Sequence, residues 1–159
     1  LELCQNFIRE QQAEDLPLKL YLKKTPEIIE AADCCLMVSG SVSLEMLARK
    51  TPAVVLYRSH WGMYFLGQLL ITCKYMSLPN LIAGREIMPE FPSVGNPNKV
   101  VTQMSTILAE WLSSPLALER ARSELTSLYN ETVIPGASAH AAEAILSHSG
   151  ARISSKAAA

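Results

Sequence analysis

Two stretches of this sequence carry residue types and spacings suited to chemistry. The first, Ser39-Gly40-Ser41-Val42-Ser43-Leu44-Glu45, follows an apolar run and opens a helical pattern. Small residues there let backbone N–H groups approach an anion. The start of a helix adds a positive pole worth roughly 0.3–1 kcal/mol per charge at an exposed site. Glu45, one turn in, offers two acceptor oxygens, which suits a vicinal diol such as ribose. Gly40, Ser41, Ser43 and Glu45 are therefore candidate nucleotide-binding residues. The alternative is an ordinary strand-turn-helix in which Glu45 only stabilises the helix dipole. The second stretch runs from Tyr75 to Glu86 and is a polar loop marked by Pro79 and Gly84. Asn80 can donate and accept, Arg85 can grip a phosphate through two parallel bonds, and Glu86 can orient Arg85 or accept from a sugar hydroxyl. Its alternative is a capped turn with a surface ion pair. Pro89-Glu90 adds a further carboxylate. Together the two stretches read as a nucleotide-sugar site on an α/β sheet.

Other chemistries find less support. The first stretch lacks the lysine of a P-loop and is not GxGxxG, which argues against nicotinamide cofactors. Arg58, Ser59 and His60 follow an apolar strand, where His60 could meet a phosphate or simply be solvated. His140 and His148 sit without matching carboxylates, so no metal ligands are expected. Ser41 has no nucleophile-elbow sequence around it. Across 159 residues, 14 Lys+Arg against 15 Asp+Glu leave a net charge of −1, which provides no basic face for nucleic acid. Only 18% of residues are charged, below the usual quarter, so the surface is expected to carry apolar patches or an interface. Cys4, Cys34, Cys35 and Cys73 show no CxxC spacing and read as free thiols of a reducing compartment. No signal peptide and no membrane-spanning run is expected.

The elements that must position these residues alternate. Residues 1–12 read as a helix and Leu18 to Leu22 as a short strand. Thr25-Pro26-Glu27 starts a helix to Ala32. Cys34 to Val38 is a continuous apolar run, expected to be a strand covered on both faces. Ser43 to Lys50 is helical and ends at Thr51-Pro52. Ala53 to Tyr57 is another apolar strand. Residues 61–73 form an uncharged helix, suited to core, a partner or a membrane surface. Tyr75 to Leu78 is a fourth strand. Helices follow over Asn98–Trp111, Ser114–Tyr129 and Ser138–His148. The fold class is α/β: a partial Rossmann-like parallel sheet with flanking helices over residues 1–150, then a frayed tail over 151–159. Four strands are few, so strands preceding Leu1 are expected to be missing.

Ala31-Ala32-Asp33, Val38-Ser39-Gly40-Ser41-Val42-Ser43-Leu44-Glu45 and Pro52-Ala53-Val54-Val55-Leu56-Tyr57-Arg58 resemble the carboxyl-terminal domain of the lipid-A-disaccharide synthases. The stretch Ser77-Leu78-Pro79-Asn80 with Gly84-Arg85-Glu86 and Pro89-Glu90 strengthens the likeness. Pro135-Gly136-Ala137-Ser138 fits the family's last helix. The resemblance implies a two-domain GT-B glycosyltransferase of lipid A biosynthesis. Such an enzyme joins UDP-2,3-diacylglucosamine to 2,3-diacylglucosamine 1-phosphate and releases UDP. It implies no cofactor beyond the UDP-sugar donor. Gly40, Ser41, Ser43, Glu45 and Asn80 would hold the donor, and Arg85 and Glu86 would be catalytic, Arg85 steadying the departing diphosphate. Expected partners are the two acylated sugars, an amino-terminal domain, a membrane surface and a homodimer mate. The expected place is the cytoplasmic face of a Gram-negative inner membrane. The family's Pro-Gly-Ser-Arg phosphate loop does not occur in these residues, so the 159 residues alone are not expected to turn over. Two other readings are a related UDP-N-acetylglucosamine transferase or epimerase, and a non-catalytic interaction fragment.

Overall fold

The structure, a computed structural model, describes residues 1–38, 40–59 and 73–148. Within them the elements run α1 (Glu2–Glu10), α2 (Thr25–Ala31), β1 (Cys35–Val38), α3 (Val42–Arg49), β2 (Ala53–Ser59) and α4 (Leu78–Ala83). Then come β3 (Glu90–Val94), α5 (Asn98–Ser113), α6 (Pro115–Thr132) and α7 (Ala137–His148). The three strands form one parallel sheet in the order β1-β2-β3. The expected α/β architecture with a parallel sheet and flanking helices is what the chain adopts.

Alternate residues of the central strand face two separate cores, as the period of a strand requires. Ala53 and Val55 join Met37, Met46, Leu47, Met88, Leu125 and Leu128 beneath α2, α3, α4 and α6. Val54 points the other way, with Met104 and Trp111 of α5 packed over it and Leu56 and Phe91 at its side. Pro at the first turn of α2, α4 and α6 marks helix starts where a missing N–H costs nothing. At α6 the Ser114 side chain also accepts from the Ala117 amide at 3.3 Å.

Three expectations are corrected. Residues 18–22 form no strand: their alternation has no neighbouring strand to pair with, and Leu18, Leu20 and Leu22 are exposed. Tyr75 to Leu78 is not a strand either. It is the approach to α4, and the third strand lies later, at Glu90–Val94. β1 is not covered on both faces, because Leu36 is 54% and Val38 70% exposed. The strand occupies the edge of the sheet with its apolar side chains open. The apolar helix expected over 61–73 falls almost wholly outside the described residues, as do Ser39, His60 and the tail over 151–159. No helix among the described residues is long and apolar enough to cross a membrane.

The cysteines are free, as expected. Burial raises the thiols of Cys34 and Cys35 above the usual range, assisted by the Asp33 charge at Cys34 and by Cys34 at Cys35. A raised thiol holds less reactive thiolate near neutral pH. Iodoacetamide at about pH 7.5, below the ordinary thiol range, is therefore expected to alkylate exposed Cys4 and Cys73 well before Cys34 and Cys35. Mass spectrometry of a time course reads the order, and early loss of Cys34 would contradict it.

Candidate functional site

The turn between β1 and α3 is built by its own side chains. Ser43 is buried, and its hydroxyl donates to the Gly40 carbonyl at 2.9 Å, where the Ser43 amide also donates at 3.2 Å. Ser43 thus fixes the turn. Gly40 and Ser41 are exposed, and Ser41 stands at the N-cap of α3. The Ser41 hydroxyl makes no hydrogen bond among the described residues, which leaves it open to an incoming group. One turn into the helix, Glu45 is half-buried and pairs with Arg49 Nε at 3.4 Å through Oε1. Arg49 in turn bridges to Glu30 of α2. This surface follows the carboxyl end of β1, which is where open α/β sheets present ligands.

The second stretch is organised differently. Asn80 of α4 is fully buried. Its Nδ2 donates to the Met88 carbonyl at 2.7 Å and to Glu90 Oε1 at 2.8 Å. Its Oδ1 accepts from the Ile87 and Met88 amides at 2.7 and 2.9 Å. Both amide protons and both lone pairs are engaged, so no donor or acceptor is left for a ligand. In this arrangement Asn80 clamps α4 to the chain entering β3. Glu90 completes the clamp, accepting from the Met76 and Ser77 amides at 2.8 and 2.7 Å. The buried Ser77 hydroxyl has no partner among the described residues.

Arg85 and Glu86 follow α4. Arg85 pairs with Glu124 of α6, both half-exposed, while Glu86 Oε1 accepts from the Glu90 amide at 3.4 Å. Met37, Val55 and Glu90 share one row of the sheet. Gly40 comes after that row in the strand direction and Arg85 before it. No hydrogen bond or ion pair joins the Gly40–Glu45 turn to Asn80, Arg85 or Glu86 among the described residues. The two stretches are thus held by separate sets of polar contacts, although their helices α3 and α4 pack against each other. An exposed ion pair such as Arg85–Glu124 contributes little. Arg85→Ala is expected to change stability by less than about 1 kcal/mol in thermal unfolding. A loss above about 2 kcal/mol would show that the arginine is a structural anchor.

The carboxyl edge of the sheet brings other groups to the turn. Arg58, near the end of β2, is exposed and forms no ion pair among the described residues. Gly95-Asn96-Pro97-Asn98 links β3 to the start of α5, with Gly95 at φ 73° and the Asn98 amide donating to Asn96 Oδ1 at 3.0 Å. Sequence reasoning noted Arg58 without ranking it and missed the loop after β3, because the strand before it went unseen. No group of three or more His, Cys, Asp or Glu side chains among the described residues could hold a metal ion.

The family model described as lipid-A-disaccharide synthetase matches residues 3–126, which include every element from α2 to α5. The chain belongs to the lipid-A-disaccharide synthase family. Relatives bearing that name agree. One from Idiomarina loihiensis is 36% identical over 107 residues, covering 67% of this chain and 28% of the relative. One from Erwinia tasmaniensis is 36% identical over 104 residues, covering 65% of this chain and 27% of its own length. One from Pseudomonas putida is 33% identical over 149 residues, covering 90% of this chain and 38% of its own. The chain thus spans well under half the length of the lipid-A-disaccharide synthases it matches.

Proposed function

We propose that this chain is the donor-nucleotide half of a lipid-A-disaccharide synthase. The observation that carries the proposal is the Gly40–Glu45 turn at the carboxyl end of β1, within a chain of that family. In this reading the UDP of UDP-2,3-diacylglucosamine lies across the carboxyl edge of the sheet. The Ser41 and Val42 amides, the Ser41 hydroxyl and the Arg58 guanidinium meet the diphosphate. Glu45 accepts from the ribose hydroxyls. The 6-hydroxyl of 2,3-diacylglucosamine 1-phosphate attacks the anomeric carbon of the donor, and the bond to UDP breaks. The hydroxyl proton passes to a base supplied by a further domain. Charge that develops on the departing diphosphate is met by positive groups already aimed at it, which lowers the barrier without reorganisation. Asn80 and Glu90 serve by shape, while Arg85 and Glu86 stand away from the reacting atoms.

Both sugars carry acyl chains, each buried CH₂ being worth roughly 0.8 kcal/mol, so neither leaves a bilayer freely. The proposed enzyme accordingly works at the inner face of the inner membrane without crossing it. The test is a chimera in which this chain replaces its aligned segment in the Pseudomonas putida relative. UDP release that requires both acylated sugars is the expected result. A folded chimera that releases no UDP would contradict the proposal.

A further inference from the structure

Arg49 stands one turn after Glu45 on α3, and its side chain is only 29% exposed despite its charge. Its guanidinium reaches in two directions. Nε lies 3.4 Å from Glu45 Oε1, and Nη1 bonds Glu30 Oε2 of the neighbouring α2. α2 is itself tied to the sheet, since Thr51 Oγ1 donates to the Ile29 carbonyl at 3.1 Å and Ile29 is buried in the core. A free glutamate on a helix surface samples several rotamers, and ordering it on binding consumes affinity. Here one oxygen of Glu45 is held by Arg49, and Arg49 is held by a second helix. The other oxygen, Oε2, carries no hydrogen bond among the described residues. The pair draws the carboxylate toward Arg49 and leaves Oε2 open.

We infer that Arg49 is a positioning residue that sets the Glu45 carboxylate to read the hydroxyls of a bound ribose, with Glu30 as its anchor. The inference rests on the nucleotide reading of the Gly40–Glu45 turn. Arg49 touches no ligand in it. Its contribution is confined to whatever Glu45 recognises, so it governs discrimination between nucleotides with and without the ribose diol. It does not govern diphosphate binding, which falls to the α3 start, Ser41 and Arg58. A surface ion pair of this kind adds little to stability, so removing it leaves the fold intact.

Calorimetric titration of the 159-residue chain with UDP and with 2′,3′-dideoxyuridine diphosphate separates these roles. The unaltered chain is expected to prefer UDP by roughly tenfold, the scale of a buried hydroxyl that loses its charged acceptor. Glu45→Gln and Arg49→Met are each expected to cut that preference to about threefold or less. Dideoxy nucleotide affinity should stay within about twofold, which also shows that the variants are folded. Arg49→Lys, which keeps the charge and lacks the planar fork, should restore part of the preference. If Glu45→Gln erases the preference and Arg49→Met leaves it intact, Arg49 does not position the carboxylate. If Arg49→Met weakens both nucleotides equally, its role is structural and the inference fails. If the unaltered chain binds no UDP, or Glu45→Gln leaves the preference unchanged, the ribose reading itself fails and the inference falls with it.

Discussion

Asn80→Ala is expected to destabilise the chain by about 3 kcal/mol or more, a loss far beyond that of an ordinary polar substitution. The side chain is fully buried and its removal strands three groups at once, the Ile87 and Met88 amides and the Met88 carbonyl, while Glu90 Oε1 loses one of its two donors and keeps the Ser77 amide. A buried group left without its partner costs roughly 1–3 kcal/mol, with water able to relieve only those near the surface. Asn80→Asp sharpens the test. It keeps acceptor oxygens but removes both donors and sets a second carboxylate against Glu90, whose Oε1 lies 2.8 Å from the present Nδ2. Two adjacent carboxylates raise the pKa of one of them above its unfolded value. The protonated acid is then favoured in the folded state, so the loss is smallest below about pH 4 and grows as the pH rises. Urea unfolding of both variants at about pH 4 and about pH 7, on either side of that titration, checks the size and the sign. A loss under about 1 kcal/mol for Asn80→Ala would return the residue to the surface of a binding loop.

The second large effect concerns binding. Glu45→Gln in the chimera with the Pseudomonas putida relative is expected to weaken the donor by about 1–1.4 kcal/mol, roughly five- to tenfold. Loss of the carboxylate removes a charged acceptor from the ribose hydroxyls, while the amide keeps the side-chain shape. The same change releases only the half-exposed pair with Arg49, so melting temperature should barely move. Steady-state kinetics with the donor varied reads the effect in KM more than in kcat, since the interaction exists before the transition state. An unchanged KM would remove Glu45 from the nucleotide site.

Legibility of the fold followed how local each signal was. The helices α2, α3, α5 and α6 announce themselves through adjacent residues: Thr25-Pro26, the Thr51-Pro52 stop, Asn96-Pro97 and Ser114-Pro115. The apolar runs Cys34–Val38 and Ala53–Tyr57 mark β1 and most of β2, although β1 is open on one face. β3 was hidden because Glu90, Pro92 and Ser93 break its apolar character. Proline is tolerated there because β3, among the described residues, is an edge strand bonded only to β2. Tyr75 to Leu78 looked like a strand because the group that binds its amides, the Glu90 carboxylate, lies well beyond it in the chain.

Placement of the candidate residues was legible in the same measure. Gly40, Ser41 and Glu45 follow their strand directly, and the exposed edge is where their order in the sequence puts them. Asn80 and Arg85 have residue types that bind ligands, and nothing in their neighbours betrays that one is buried and the other paired across to α6. Burial is set by elements far apart in the chain, so a polar loop and a polar lock look alike in sequence. The family resemblance carried the right membership.

Binding of the donor nucleotide at the carboxyl edge of the sheet is tested most directly by amide chemical shifts of the isotopically labelled chain during titration with UDP. Saturable shifts are expected at Gly40, Ser41 and Glu45, with Arg58 and the Gly95–Asn98 loop joining them. Arg85, Glu86 and Asn80 should remain unmoved. Shifts centred on Arg85 and Glu86, with the Gly40–Glu45 turn silent, would place the nucleotide elsewhere and overturn the assignment.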